Sequence, residues 1–445
     1  MSTPSLLDRC RQALDVARAR GAKQAEIAAE STRRVTATIS KHDLQIAQTQ
    51  RETTFGVRVF DEQRLGFACT NNPSNVDSIV GDALTIAAAS PPDDHNVLPR
   101  PSEAAQLEGL YDEAAASFPT GDVVKQAIRM LEVATAVDPR VILGDADFVA
   151  TVSERALANT EGVEREERSS VFTYFALATA REGELVSNFD FQFDASRSVA
   201  GIDVEPTTKR ACENALGSLG AKPGETFKGP VILSPGATLF VLVSLLGFQA
   251  DGMNVFRGMS RWGDQVGKRV ASEQLSLIDD GTAPGGVATS AFDREGVPHR
   301  RLAVIENGTL TNLFHNTYSA HALGATSTGH AGGSPRTIPS VGATNVEILP
   351  GAFPKDELIR EIRKGLLVTR FSGNTNPVTG DFSGVAKGAF LIRDGKIERP
   401  VAGTLIAGNA FEALMSISGV SEERERVFSF TLPYVRLEDV SVTAG

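Results

Sequence analysis

Close to the C-terminal end the chain runs Ser372-Gly373-Asn374-Thr375-Asn376-Pro377-Val378-Thr379-Gly380-Asp381-Phe382-Ser383-Gly384. Its side chains offer hydroxyl, amide and carboxylate groups, with glycines and a proline between them to bend the backbone. Such a run suits hydrogen bonding to an extended chain, nucleophilic or acid–base work by Thr379, Asp381 and Ser383, or no more than a turn. Two other stretches carry paired carboxylates, Asp279-Asp280 and Asp293-Arg294-Glu295. Each lies near a glycine, where acids commonly bend turns by accepting backbone amides, and the turn reading is preferred for both.

Other chemistries lack their residues. A zinc hydrolase needs closely spaced histidines on one helix with a glutamate as base, and none of His42, His95, His299, His315, His321 and His330 belongs to an HExxH. The six-residue spacing of His315 and His321 puts them on different faces of a helix. GxxxxGK[ST], the GxSxG elbow and SxxK are all missing, and Ser383 stands one residue too far from Lys387 for the last. Gly329-His330-Ala331-Gly332-Gly333-Ser334-Pro335 has no helical pattern after it and reads as a flexible loop.

The elements that must position these groups are legible in outline. The N-terminus reads as an amphipathic helix capped by Thr3 before Pro4 and stopped at Gly21. Alternating segments at 35–40, 44–50, 54–60 and 65–70, with a turn at 61–64, predict a small antiparallel sheet, and a helix follows over 76–89. Residues 90–122, rich in proline, acid and alanine, read as a linker. A helix over 123–136, strands around 141–154, 170–181 and 183–193, and a helix after Pro206 complete a second block. Ser234-Pro235 starts a helix apolar almost all round, which must be buried. Asn307-Gly308 and Asp394-Gly395 mark two hairpins in a strand-rich final block. The implied domains are 1–119, 120–226 and 227–445.

Composition narrows the function. The 445 residues carry 44 basic and 55 acidic side chains, a net charge of −11, which gives no basic field for nucleic acid. The widely spaced Cys10, Cys69 and Cys212 form neither a disulfide framework nor a metal knuckle, and they suit a reducing cytoplasm. There is no signal-peptide pattern and no apolar run of membrane-spanning length.

Taken in order, several segments resemble the TldD/PmbA peptidase family. They are Ile278-Asp279-Asp280-Gly281-Thr282, Phe292-Asp293-Arg294-Glu295-Gly296-Val297-Pro298, Ile305-Glu306-Asn307-Gly308-Thr309-Leu310, Ser327-Thr328-Gly329-His330-Ala331, Val378-Thr379-Gly380-Asp381-Phe382-Ser383, 388–395 and 400–409. Near the N-terminus, 54–60 and 65–68 are similar too. The resemblance implies an α+β chain with a small N-terminal α/β domain, a middle α/β domain and a large strand-rich C-terminal domain containing a buried helix. It also implies a cytoplasmic assembly of two related subunits that trims unfolded or extended peptides, including modified precursors.

In that family the TldD-type subunit carries HExxxH on the buried helix and a late cysteine as its zinc site. Here Val243, Ser244 and Phe248 occupy the matching positions, and no cysteine follows Cys212. The chain therefore resembles the PmbA/TldE type, a non-metal subunit whose zinc would reside in a TldD-type partner. The expected substrate-binding residues are His330, Asn374, Asn376, Thr379, Asp381 and Ser383, with no catalytic or metal residue of its own. Two other readings stand beside this one: a stand-alone hydrolase using Thr379, Asp381 and Ser383, and a homodimeric peptide-binding scaffold.

Overall fold

A computed structural model of the chain describes residues 4–445. Helix α1 (Leu6–Ala19) starts at a capping box in which Ser5 and Asp8 satisfy each other's backbone amides. Thr3, the expected cap, lies outside the described residues; Gly21 follows the helix in the left-handed region, at φ 93°.

Strands β1 (Gln24–Ser40), β2 (Asp43–Asp61) and β3 (Arg64–Thr70) are joined by two-residue turns, Lys41-His42 and Glu62-Gln63, in which all four residues have positive φ. The expected separate strands at 44–50 and 54–60 are one, β2. The first half of β1 escaped detection because Ala25 to Ala29 are buried in succession, covered on both faces, so the period-two signal vanishes. The small sheet expected here is part of a larger one. Strand β1 pairs along its length with β4 (Val141–Asn159), from Glu26 opposite Asn159 to Ser40 opposite Asp145. With β5 (Glu164–Glu182), β6 (Leu185–Val186) and β7 (Asp190–Ser196) they form a seven-stranded antiparallel sheet.

Two groups of helices cover one face of it, one towards each end of β1. α1 and α2 (Val76–Ala89) bury Leu14, Ile79 and Val80 against Ile27, Phe55 and Val57. α3 (Glu113–Ala116), α4 (Thr120–Val137) and α5 (Glu205–Gly217), with Phe118 between the first two, bury Ala115, Met130 and Cys212 against Phe148, Phe172 and Ile39. Residues 90–122 are largely without regular structure, yet they do not hang free. Leu98, Leu110, Ala115 and Phe118 are buried, and the Asn159 side chain donates to the Pro99 carbonyl at 3.0 Å.

The final block is a twelve-stranded mixed sheet. Its main path runs through Phe430–Ala444, Phe227–Leu233, Lys364–Thr375 and Asp381–Arg393. Both predicted hairpins are present, with Asn307-Gly308 and Asp394-Gly395 all at positive φ. Ser234 caps a helix over 235–250, accepting the Ala237 amide, and the turn Leu239–Val243 is π-helical. Val241, Leu242, Leu245 and Leu246 fill the largest core. Burial all round was expected, but Phe240 and Ser244 are exposed, with Gly247 and Phe248 half-buried, which leaves one stripe uncovered by the sheet. Among the described residues no helix is long and apolar enough to cross a membrane.

Candidate functional site

The polar run forms the tip of the hairpin made by Lys364–Thr375 and Asp381–Arg393. The tip closes on itself: Asn376 N donates to Asp381 O and Gly380 N to Asn376 O, both at 2.8 Å. Gly380 has φ 88°, and any Cβ there would meet the Phe411 ring at 2.4 Å, so the turn needs glycine. Asn376 Oδ1 accepts from Val378 N and Thr379 N at 2.9 and 3.2 Å, and Thr379 Oγ1 from Asp381 N at 3.3 Å. Asn409 Nδ2 donates to both Asp381 Oδ1 and Thr379 O at 3.0 Å. Asn409 first, and Thr379 after it, hold the Asp381 carboxyl below the usual aspartate range.

The tip is seated against the 235–250 helix and the segment after it. Gln249 Nε2 donates to Pro377 O at 2.5 Å, Thr375 Oγ1 to Phe240 O at 3.2 Å, and Arg261 Nη2 to Thr379 O at 3.1 Å. The Arg261 guanidinium also lies 4.3 Å from the centre of the Phe411 ring. Asn376, Thr379 and Asp381 are thus engaged in building the turn. Asn374 and Ser383 face each other across the strands, are exposed, and make no side-chain hydrogen bond among the described residues. Asn376→Ala should therefore lower stability by roughly 1 kcal/mol through two unpaired amides, while Asn374→Ala leaves the melting temperature unchanged; thermal denaturation of the two variants checks the contrast.

His330 is not brought to this tip. It is 1% exposed, stacks on Phe314 with ring centres 4.5 Å apart, and places Nε2 2.9 Å from Asp279 Oδ2. Thr328 Oγ1 lies 2.8 Å from its Nδ1. Carboxylate, imidazole and hydroxyl stand in the order of a nucleophilic relay, but Asp279 and Thr328 are buried along with His330. Residues 331–332 pair with 340–341, so the stretch read as a flexible loop around His330 is pinned by a short two-stranded ribbon, with 329–330 and 333–335 outside it. Burial first, and the neighbouring His330 after it, push His299 and His315 down to about 4, so both sit neutral under this cluster at neutral pH.

The Asp293 segment is structural as well. Asp293 accepts the amides of Glu295, Val297 and Ala331, the arrangement of a turn-forming aspartate. Burial, then the charge of Glu295, pushes its carboxyl up to about 8 against those amides. Sequence reasoning missed Gln249, Arg261 and Phe411 as anchors of the tip, and gave Asn409 no role although it closes one of the quoted blocks.

The residues at the expected zinc positions do not fit a metal. Val243 is buried and aliphatic, Ser244 Oγ donates back to Phe240 O at 3.1 Å, and Phe248 carries no donor atom. Cys10, Cys69 and Cys212 all belong to the first sheet and its helices. Among the described residues no three His, Cys, Asp or Glu side chains cluster to hold an ion.

By fold, the chain matches solved three-domain proteins along its whole length. It superposes on TldE from Thermococcus kodakarensis with a TM-score of 0.89 at 24% identity, covering 98% of this chain and all of that one. It superposes on a putative modulator of a DNA gyrase from Thermotoga maritima with a TM-score of 0.88 at 23% identity, covering 99% and 100%. Three family profiles match in succession: PmbA/TldA metallopeptidase domain 1 over 25–87, the central domain over 113–219 and the C-terminal domain over 226–444. The chain belongs to the PmbA/TldD metallopeptidase family. It is 27% identical over 410 residues to a metalloprotease of Methanothermobacter thermautotrophicus, and 26% identical over 412 residues to metalloprotease PmbA of Escherichia coli O157:H7. Each alignment covers 90% of this chain and 88% of the relative.

Proposed function

We propose that this chain is the PmbA/TldE-like, zinc-free subunit of a two-chain peptidase whose zinc is held by a TldD-type partner. The observation that carries the reading is the uncovered stripe of the 235–250 helix, where Ser244 and the ring of Phe248 stand in place of metal-binding groups beneath an intact hairpin tip. The chain's own contribution is a surface for the substrate. Asn374 and Ser383 present unengaged amide and hydroxyl groups, which suits main-chain recognition of an unfolded or extended peptide with little sequence preference. Modified peptide precursors fall within that class. The expected compartment is the cytoplasm, consistent with three unpaired cysteines.

The test is reconstitution. The purified chain should hold no stoichiometric zinc and cleave no unfolded peptide; addition of a TldD-type subunit should give a co-eluting complex that does both. One tightly held zinc per isolated chain would overturn the assignment, as would turnover by the isolated chain that Asp381→Ala abolishes. Within the active pair, Asn374→Ala with Ser383→Ala should raise the KM for an extended peptide several-fold while kcat holds.

A further inference from the structure

Between β7, α5 and the C-terminal sheet lies a cavity of about 470 Å³, within the range of small-ligand sites. Arg370, which lines it, stands on the strand that leads into the hairpin tip. Arg370 is 4% exposed, and its two terminal nitrogens are shielded from solvent without any hydrogen-bond acceptor. A buried guanidinium with unpaired N–H groups is among the costlier arrangements in a folded chain. Its immediate surroundings are aromatic: the Phe189 ring lies 3.4 Å from the guanidinium carbon and that of Phe191 5.3 Å.

The other charges in the cavity are largely committed. Arg210 pairs with Glu425 at 3.2 Å and Arg426 with Asp194 at 3.4 Å. The Lys355 ammonium sits 4.6 Å over the Tyr434 ring. Asp190, which attracts Arg370 electrostatically, spends Oδ1 on Gln192 and Asn214 at 2.8 and 3.2 Å. Arg370 and Lys355 are thus left without a carboxylate partner in a cavity large enough for one.

We propose that this cavity is a binding site for a small carboxylate, held in the fork of Arg370 with Lys355 beside it and covered by Phe189. A planar guanidinium pairs with a carboxylate through two parallel hydrogen bonds. A phosphate dianion fits less well, because the carboxyl of Asp190 stands next to the same guanidinium. Phe189, 40% exposed, covers one face of the guanidinium, and in this proposal its ring turns outward as the carboxylate reaches the N–H edge. The site does not depend on the peptidase reading, and its test uses the isolated chain.

The test is calorimetric titration with N-acetylglycine, the carboxyl end of a peptide in miniature, beside inorganic phosphate and sodium chloride at equal ionic strength. Saturable binding of N-acetylglycine is expected, weakened at least tenfold by Arg370→Met and tightened several-fold by Asp190→Asn. Heats no different from the chloride control mean that the cavity is merely hydrated, and overturn the proposal. Equal binding by Arg370→Met overturns it as well, and Arg370-dependent binding of phosphate alone overturns the choice of carboxylate. Should Arg370→Met fail to fold, an affinity unchanged by Asp190→Asn has the same force.

Discussion

Glu26→Ala should cost about 3–5 kcal/mol of stability, the penalty for leaving a buried charge without its counter-ion. Glu26, on β1, accepts from Arg58 at 2.8 Å through one oxygen and from Arg294 at 2.9 Å through the other. Arg58 also donates to Glu295 at 2.9 Å, and Glu295 takes the Thr317 amide at 2.8 Å. All four charged side chains are at most 6% exposed, and two cations balance two anions. Burial alone would push the Glu26 carboxyl up; Arg58 and Arg294 more than reverse this and hold it below the usual glutamate range. Its contribution is therefore present above the unfolded-state pKa and lost as pH falls.

Without Glu26, Arg294 keeps only the Ser334 carbonyl, at 3.1 Å, and the site carries an unbalanced positive charge. This network ties the N-terminal sheet to the C-terminal block, so denaturant unfolding of Glu26→Ala should separate into two transitions. The double variant Glu26→Leu with Arg294→Met removes both the charge and its counter-ion, and should recover most of the loss. A loss below about 1 kcal/mol in the single variant would mean that water reaches the site and the network does not hold the domains together.

How much of this was legible depended on how local the signal was. Helix α2 was read to the residue, because Ile79, Val80, Ala83 and Ala87 repeat at helical spacing over a single face. The Asn307-Gly308 and Asp394-Gly395 hairpins were equally plain, since few other pairs accept two positive φ values. Lys41-His42 adopts the same left-handed geometry without a residue type that announces it, and so the long β1–β2 ribbon was underestimated. Long-range chemistry left no trace at all. Glu26 and Arg294 are 268 positions apart, and no spacing rule joins them. For the candidate site, the run 372–384 stands out in the sequence and forms one hairpin tip, but which members face outward depends on strand register and on Asn409, a partner 28 residues beyond Asp381. His330 looked mobile among its glycines; its burial comes from Asp279, 51 residues away, and Phe314.

The same register produces the second large effect. Gly373 and Gly384 stand opposite each other across the hairpin, and neither has room for a side chain. A Cβ on Gly384 would come within 2.5 Å of the Gly373 Cα and 2.7 Å of the Phe371 ring and the Ser372 carbonyl. A Cβ on Gly373 would meet the Ser383 carbonyl at 2.3 Å. Backbone atoms cannot yield as a flexible side chain can, so Gly384→Val must separate the strands just where they present Asn374 and Ser383. The rest of the chain has little reason to change, because Leu366–Val368 remain paired on the other side to Val231–Leu233. Peptide cleavage by the proposed pair should fall at least tenfold, with the far-ultraviolet circular dichroism retained and faster amide exchange confined to residues 372–384. Unchanged cleavage despite that faster exchange would show that the peptide does not rest on the hairpin tip, and would return the polar run to the role of a turn.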